Sequence, residues 1–309
     1  MFRKLYNQAV LSGRLIPDGP VLIVQGGAAL DPVAPDLAFV RTTLDGEPTV
    51  YLPGSSLKGV LRAHAERLLC TQLGESAAES PFENGPRRRE AERLRKLDKP
   101  DRPGVFRVSC AADQLFGSTE IAGRFRIGDA CPSSKDREAA NRTEIRYGVA
   151  IDRAKQSVKH GPFEQEAVVG GSFAFKAVLE NYELWMLSLV LQAFADLDDG
   201  LVQVGHAKSR GFGSMRLAEP VLDLRWPGEP PARLEGAGAR EPVAAVRDDY
   251  GLLPDDAVSL PAGAEKTTQG LFGGYRFKDW DDVRAVLDAC AAEPWRRFVA
   301  RAREERHGP

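Results

Sequence analysis

Ser55 and Ser56 precede apolar residues at 60, 61, 65, 68 and 69, a spacing that predicts a helix with either serine as its N-cap. Such a helix offers two hydroxyls and free backbone N–H groups in its first turn, and Lys58 and Arg62 fall within the first two turns. That is a recipe for holding a phosphate, although serine also caps helices for purely structural reasons. A second cluster lies at 201–213, Leu-Val-Gln-Val-Gly-His-Ala-Lys-Ser-Arg-Gly-Phe-Gly. Gly205, Gly211 and Gly213 let the backbone approach a ligand, while His206, Lys208 and Arg210 supply donors, so the segment reads as an anion-binding loop. Its spacing is neither that of a dinucleotide-binding turn nor that of a P-loop. A third basic stretch, 152–162, carries Arg153 and Lys155 and has few apolar residues, the pattern of a projecting hairpin tip that meets a partner.

These groups need elements to position them. Residues 5–16 alternate loosely and end at Pro17-Asp18-Gly19-Pro20, a strand closed by a turn. Residues 28–48, rich in Pro, Asp and Thr, predict a long ordered loop. Segment 75–104, with Arg87-Arg88-Arg89, reads as an exposed helical insertion whose charges form a solvated face. Beyond it, 106–109 reads as a short strand, 113–118 as a turn and 123–127 as another strand, and 144–151 and 167–178 read as the arms of a hairpin. Residues 184–197 give the strongest core-helix pattern, followed by a strand at 214–217. Residues 226–263 look linker-like and 281–306 helical. With the insertions set aside, the order is βαββαβ, an α+β fold with a ferredoxin-like sheet. The expected organisation is a core over 1–222, containing the 75–104 insertion and a 144–178 hairpin, and a helical appendage over 223–309.

Composition narrows the class. The chain has 309 residues, 43% hydrophobic and 28% charged, which excludes disorder, collagen and coiled coil. No apolar run approaches the ~18 residues of a membrane span, and residues 1–7 lack the core of a secretory signal, so a soluble cytoplasmic protein is expected. Four cysteines at wide spacings suggest thiols or metal ligands rather than a disulfide framework. A net charge of −2 argues at first sight against nucleic acid. Residues 219–309, however, hold 13 basic and 17 acidic groups, leaving 29 basic against 27 acidic in the rest.

Three segments together, Tyr51-Leu-Pro-Gly-Ser-Ser-Leu-Lys-Gly-Val-Leu-Arg62, Gln-Leu-Phe-Gly-Ser at 114–118 with 126–130, and the 205–213 loop, resemble the RAMP superfamily. The likeness covers residues 1–218 and is greatest to the repeated backbone subunit of type III CRISPR effector complexes, with a III-D-like length and insertion. It implies a guide CRISPR RNA held by Ser55, Ser56, Lys58, Arg62, His206, Lys208 and Arg210. A thumb over 146–169, with Arg153 and Lys155 near its tip, would flip a base at regular intervals. Implied partners are complementary target RNA, copies of the same chain and other effector subunits.

The family cuts the target with a loop aspartate, and Asp36-Leu-Ala-Phe-Val-Arg41 fits that frame, with Ala38 in place of the usual proline and Thr42 in place of an acidic residue. Asp31, five residues earlier, is the competing choice. RNA supplies its own 2′-hydroxyl nucleophile, so a single carboxylate holding Mg2+ through water, or taking that proton, is chemistry enough. Relatives also carry a small zinc site. Here Cys110 and Asp113 stand in its Cys-x-x-Cys frame, and His64 and Cys70 would complete four ligands. Two alternatives stay open: an inactive backbone subunit, and a stand-alone endonuclease that processes guide precursor with His206 or His64.

Overall fold

The computed structural model describes residues 4–26, 35–80, 83, 85–152 and 154–307. Its first half contains β1 (Gln8–Pro17), β2 (Arg41–Leu44), β3 (Glu47–Val50), α1 (Gly54–Leu73), α2 (Pro86–Arg95), α3 (Arg102–Val108), α4 (Ala111–Phe116), β4 (Phe125–Ile127), β5 (Cys131–Pro132) and α5 (Arg137–Asn141). Then follow β6 (Thr143–Ile151), β7 (Val158–Val168), β8 (Phe173–Glu180), α6 (Leu184–Asp198), β9 (Met215–Pro227), β10 (Leu234–Glu235), α7 (Arg247–Tyr250), β11 (Ala257–Val258), β12 (Glu265–Gln269), β13 (Phe272–Phe277), α8 (Trp280–Ala291) and α9 (Glu293–His307).

One antiparallel sheet runs β12-β13-β9-β1-β8-β4, with β5 also on β8. Alternation dictates which face is buried. Ala9, Leu11 and Leu15 of β1 and Phe173, Phe175, Ala177 and Leu179 of β8 point into the core, while Ala174 and Lys176 between them face out. The register sets Leu11 against Ala177 and Leu15 against Phe173. On the buried face α1 contributes a stripe at four-residue spacing, Leu57, Leu61, Ala65, Leu69 and Leu73, and α6 is buried along nearly its whole length. The four central strands, β4-β8-β1-β9, connect through α1 between β1 and β4 and through α6 between β8 and β9, a βαββαβ succession in an α+β fold.

Several local expectations change. Residues 106–109 belong to helix α3 rather than a strand, because Asp101 accepts the Gly104 N–H at 2.9 Å and Pro103 sits in the first turn, where its missing donor costs nothing. Residues 113–116 close α4 instead of forming a turn. Residues 28–34 of the expected 28–48 loop lie outside the described residues, and its later part forms the β2–β3 hairpin, turned at Asp45-Gly46. The 144–178 hairpin divides: β6 pairs with β7 as a two-stranded ribbon, and β8 departs into the main sheet. The insertion is not only a solvated face, since Arg88 is buried against Asp113.

A boundary at 222/223 falls inside β9, and β12 and β13 extend the same sheet. Trp226, Leu234 and Val243 of the linker-like stretch are buried in the common core. Trp185 of α6 stacks on Phe298 of α9 with ring centroids 4.0 Å apart and planes 5° from parallel. No helix among the described residues is long and apolar enough to cross a membrane.

Candidate nucleic-acid interface

The glycine loop is pinned by backbone contacts to the extended segment after β1. Gly213 N–H donates to the Pro20 carbonyl at 2.8 Å, His206 N–H to Leu22 at 2.7 Å, and Val204 N–H to Gly213 at 2.8 Å. These approaches leave no room for side chains. A Cβ at Gly205 (φ 88°) would sit 2.2 Å from the Leu22 oxygen, and one at Gly213 (φ 94°) 2.3 Å from that of Val204. Ala207 is also left-handed, so the chain reverses within two residues and turns His206, Lys208 and Arg210 outward.

Between this loop and α1 lies an open groove of about 380 Å³, lined by Ser56, Gly59 and Ala63 from the helix and Gly205, His206 and Lys208 from the loop. Lys208 carries the charge, with Arg67 near it, while Lys58 stands beside Arg62 outside the groove lining. Partial burial lowers the Lys58 ammonium, helped by Arg62, and burial with Arg67 nearby lowers Lys208. No carboxylate forms an ion pair with either lysine among the described residues. Arg67, which the sequence reading missed, sits on the same α1 stripe as Gly59 and Ala63, at i, i+4, i+8 spacing that would have revealed it. Its guanidinium donates to His64 Nδ1 at 2.8 Å, and His64 Nε2 in turn meets Asp196 Oδ2 at 2.5 Å. His64 therefore ties α1 to α6 and aims Arg67, with its ring nitrogens both engaged.

The other candidates separate into two groups. Ser55 is exposed and Ser56 lines the groove, but neither is the N-cap: Pro53 holds that position, and the Gly54 N–H is taken by Asp129 Oδ1 at 2.7 Å. Arg62 turns away from the groove, donating to Asp113 Oδ1 and the Gly117 carbonyl at 2.8 Å each and to Glu66 at 2.7 Å. Its role is structural because Asp113, 1% exposed, needs both Arg62 and Arg88 to offset the cost of a buried carboxylate. The four residues read as zinc ligands do not assemble. Asp113 is held by two guanidiniums, His64 by Asp196 and Arg67, and the buried Cys110 thiol is pushed up to about 11, chiefly by desolvation. Cys70 is half-buried on α1. Among the described residues no three His, Cys, Asp or Glu side chains converge as a metal site, so these residues do not fit structural zinc.

Asp36 lies where the groove meets the β6–β7 ribbon. Residues 36–40 run beside the segment at 21–25, with Gln25 N–H donating to Ala38 at 3.0 Å and Val40 N–H to Ile23 at 2.9 Å. On the other side Leu37 N–H donates to the Glu164 carbonyl at 2.9 Å and the Leu37 carbonyl accepts from Glu166 N–H at 3.0 Å. Exposed Asp36 uses Oδ2 to accept the Glu164 N–H at 2.9 Å. Below it Glu166 receives the Phe39 N–H at 2.9 Å, the Thr143 hydroxyl at 2.8 Å and a two-pronged Arg41 contact. Burial alone would raise the Glu166 carboxyl, yet these donors outweigh it and hold it down at about 2. Arg41, the basic residue of the aspartate frame, is thus the clamp that fastens the frame to the ribbon. The ribbon turns at 152–157, where Asp152 caps the Ala154 and Lys155 amides at 2.8 and 3.0 Å and leaves Lys155 exposed. Arg146 lies 5.9 Å over the Phe212 ring of the glycine loop. Asp31 and Arg153 lie outside the described residues.

The family model described as the RAMP superfamily matches residues 26–216, which takes in the Asp36 segment, α1, the ribbon and the glycine loop. No curated protein matches the chain.

Proposed function

The chain belongs to the RAMP superfamily, which gives it a CRISPR-associated RNA-binding role, and from that premise we propose that it is the guide-binding backbone subunit of a type III effector complex that cuts complementary target RNA. One observation carries the reading: the extended segment at 21–25 contributes Ile23 and Val24 to the basic groove and, through its backbone, holds the Asp36 strand against the ribbon base. A strand of RNA gripped by Lys208 and Arg67 would be delivered beside an exposed carboxylate and a projecting hairpin. The ribbon is the thumb of the reading. It splays a target nucleotide so that its 2′-hydroxyl lines up with the adjacent phosphorus and displaces the 5′-oxygen, leaving a cyclic phosphate and a free 5′-hydroxyl. Asp36 would take the hydroxyl proton or, through water, hold a Mg2+ that would supply charge stabilisation at the phosphate. Copies of the chain and neighbouring effector subunits complete the assembly.

The test is co-expression with a guide RNA and the neighbouring subunits, followed by addition of labelled complementary RNA with Mg2+ or EDTA. A metal-dependent ladder of evenly spaced cuts, abolished by Asp36→Ala with guide binding intact, is expected. Tight target binding without fragments would make the subunit a non-cutting scaffold, and cutting lost only in Asp31→Ala would move the active site to that residue.

A further inference from the structure

His64 and Asp196 lie behind the RNA groove without lining it. Their side chains, 12% and 13% exposed, meet at the seam between α1 and α6. Arginine carries donors and no acceptor, so His64 Nδ1, which meets the Arg67 guanidinium at 2.8 Å, must present a bare lone pair. The proton of the ring is then on Nε2, facing Asp196 Oδ2 at 2.5 Å. Asp196 is fixed in turn, since its Oδ1 accepts from Gln192 Nε2 at 2.8 Å.

This chain of donors ends at the groove. A helical side chain leans towards the N-terminus of its helix, so Arg67 lies back over the turn of α1 that carries Ala63 and His64. Ala63 lines the groove together with Lys208. Burial first, and then the Arg67 charge, lower the Lys208 ammonium, in keeping with two cations on one rim. Asp196 also anchors the other side: its carbonyl receives the Leu201 and Val202 N–H groups at 2.8 and 3.0 Å, where the chain leaves α6 for the glycine loop. One residue of α6 thus sets Arg67 through its side chain and the root of the Lys208 loop through its backbone.

We propose that Asp196 and His64 are positioning residues that hold Arg67 as a fixed phosphate contact beside Lys208 on the rim of the RNA groove, a proposal that rests on the guide-binding reading. Asp196 chooses the tautomer. With the proton kept on Nε2, Nδ1 holds the guanidinium, and the fork meets a phosphate with little freedom left to lose. Asp196→Asn reverses this. Gln192 keeps the Asn oxygen, so the Asn amide faces Nε2, drives the proton to Nδ1 and sets donor against donor at Arg67.

Anisotropy titration of the full-length chain with labelled single-stranded RNA, alongside thermal melts, tests this. Removing a carboxylate near a polyanion should by charge alone tighten binding. The relay instead predicts that Asp196→Asn weakens it about threefold to tenfold, as Arg67→Ala does, and that the double variant is no weaker than Arg67→Ala. The His64 nitrogen chemical shifts should move from the Nε2–H to the Nδ1–H pattern. Where Asp196→Asn melts early, His64→Leu and His64→Asn repeat the comparison: Leu offers Arg67 no acceptor and should lose the same factor in affinity, while the Asn oxygen stands where Nδ1 stood and should keep most of it. Binding unchanged or tightened in Asp196→Asn, or losses that add in the double variant, overturn the relay. Arg67→Ala and Lys208→Ala that both bind RNA as wild type does would overturn the guide-binding reading of the groove along with it.

Discussion

At the residue scale, the sequence offers many cations and the structure sorts them by what they face. Lys208 and Arg67 line or flank the groove without carboxylate partners among the described residues, whereas Arg62 and Arg88 are consumed by Asp113. Lys208→Ala should therefore weaken RNA uniformly across sequences and reduce the salt dependence of binding by about one counterion, measured as the slope of log affinity against log salt. Arg62→Ala should leave that slope unchanged and cost about 2 kcal/mol of stability in denaturant melts, because it strips a buried carboxylate of one of its two partners. Glu166 makes a different claim. Its carboxyl is held at about 2, well below the unfolded value near 4.3, so its contribution is complete above the unfolded value and fades as pH falls towards 2. Glu166→Gln should raise hydrogen exchange at the Phe39 amide at neutral pH and erase the acid-induced loss of protection that wild type shows below about pH 4. A Phe39 amide equally protected in both proteins would mean that the clamp does not hold the Asp36 strand. These partnerships were hidden in the sequence for a physical reason: Arg41 meets Glu166 across 125 residues and Arg62 meets Asp113 across 51, and a lone arginine looks the same whether its partner is a phosphate or a distant aspartate.

At the scale of elements, local signals were legible where they were strong. The four-residue apolar repeat of α1, the unbroken hydrophobic run of α6 and the glycines of the 201–213 loop each specify their own geometry, and all three stand where the sequence puts them. The failures are equally local. Residues 106–109 look like a strand only while Asp101 and Pro103 are ignored as a helix start, and the break between β7 and β8 rests on Gly170, Gly171 and Ser172, which a continuous reading of 167–178 passes over. The glycine loop gives the clearest prediction at this scale. Gly205→Ala would put a methyl 2.2 Å from the Leu22 oxygen and add left-handed strain, so the loop must lift off the segment at 21–25. RNA affinity should fall by about tenfold or more with little change in the global melt, since the loop is peripheral to the sheet. Gly211→Ala, with open space around its Cβ but the same left-handed φ, should show the strain alone and a smaller loss.

At the scale of the whole molecule, the acidic tail is bound into the core rather than hung from it. Asp256 is 2% exposed and receives the Leu184 N–H on both oxygens at 3.1 Å, capping α6 from the tail, while Glu183 receives Leu253 N–H at 2.7 Å in return. Cutting the chain after residue 222 would split β9, remove that cap and bare Trp185, so the shortened protein should lack a cooperative transition. The cap also carries a pH signature. Burial, with the neighbouring Glu183 charge, raises the Asp256 carboxyl well above its usual 3.8, so the folded protein keeps a proton that the unfolded chain releases. Stability from this group is then full below 3.8 and declines as pH rises from there towards the folded value. Asp256→Asn keeps an acceptor for Leu184 without the charge. It should match wild type near pH 4 and exceed it increasingly towards pH 7, whereas Asp256→Ala should lose about 1–3 kcal/mol throughout by orphaning a buried amide. Urea melts across that range decide the matter, and a wild type that gains on the Asn variant as pH rises would show Asp256 to be an ionised cap rather than a protonated one.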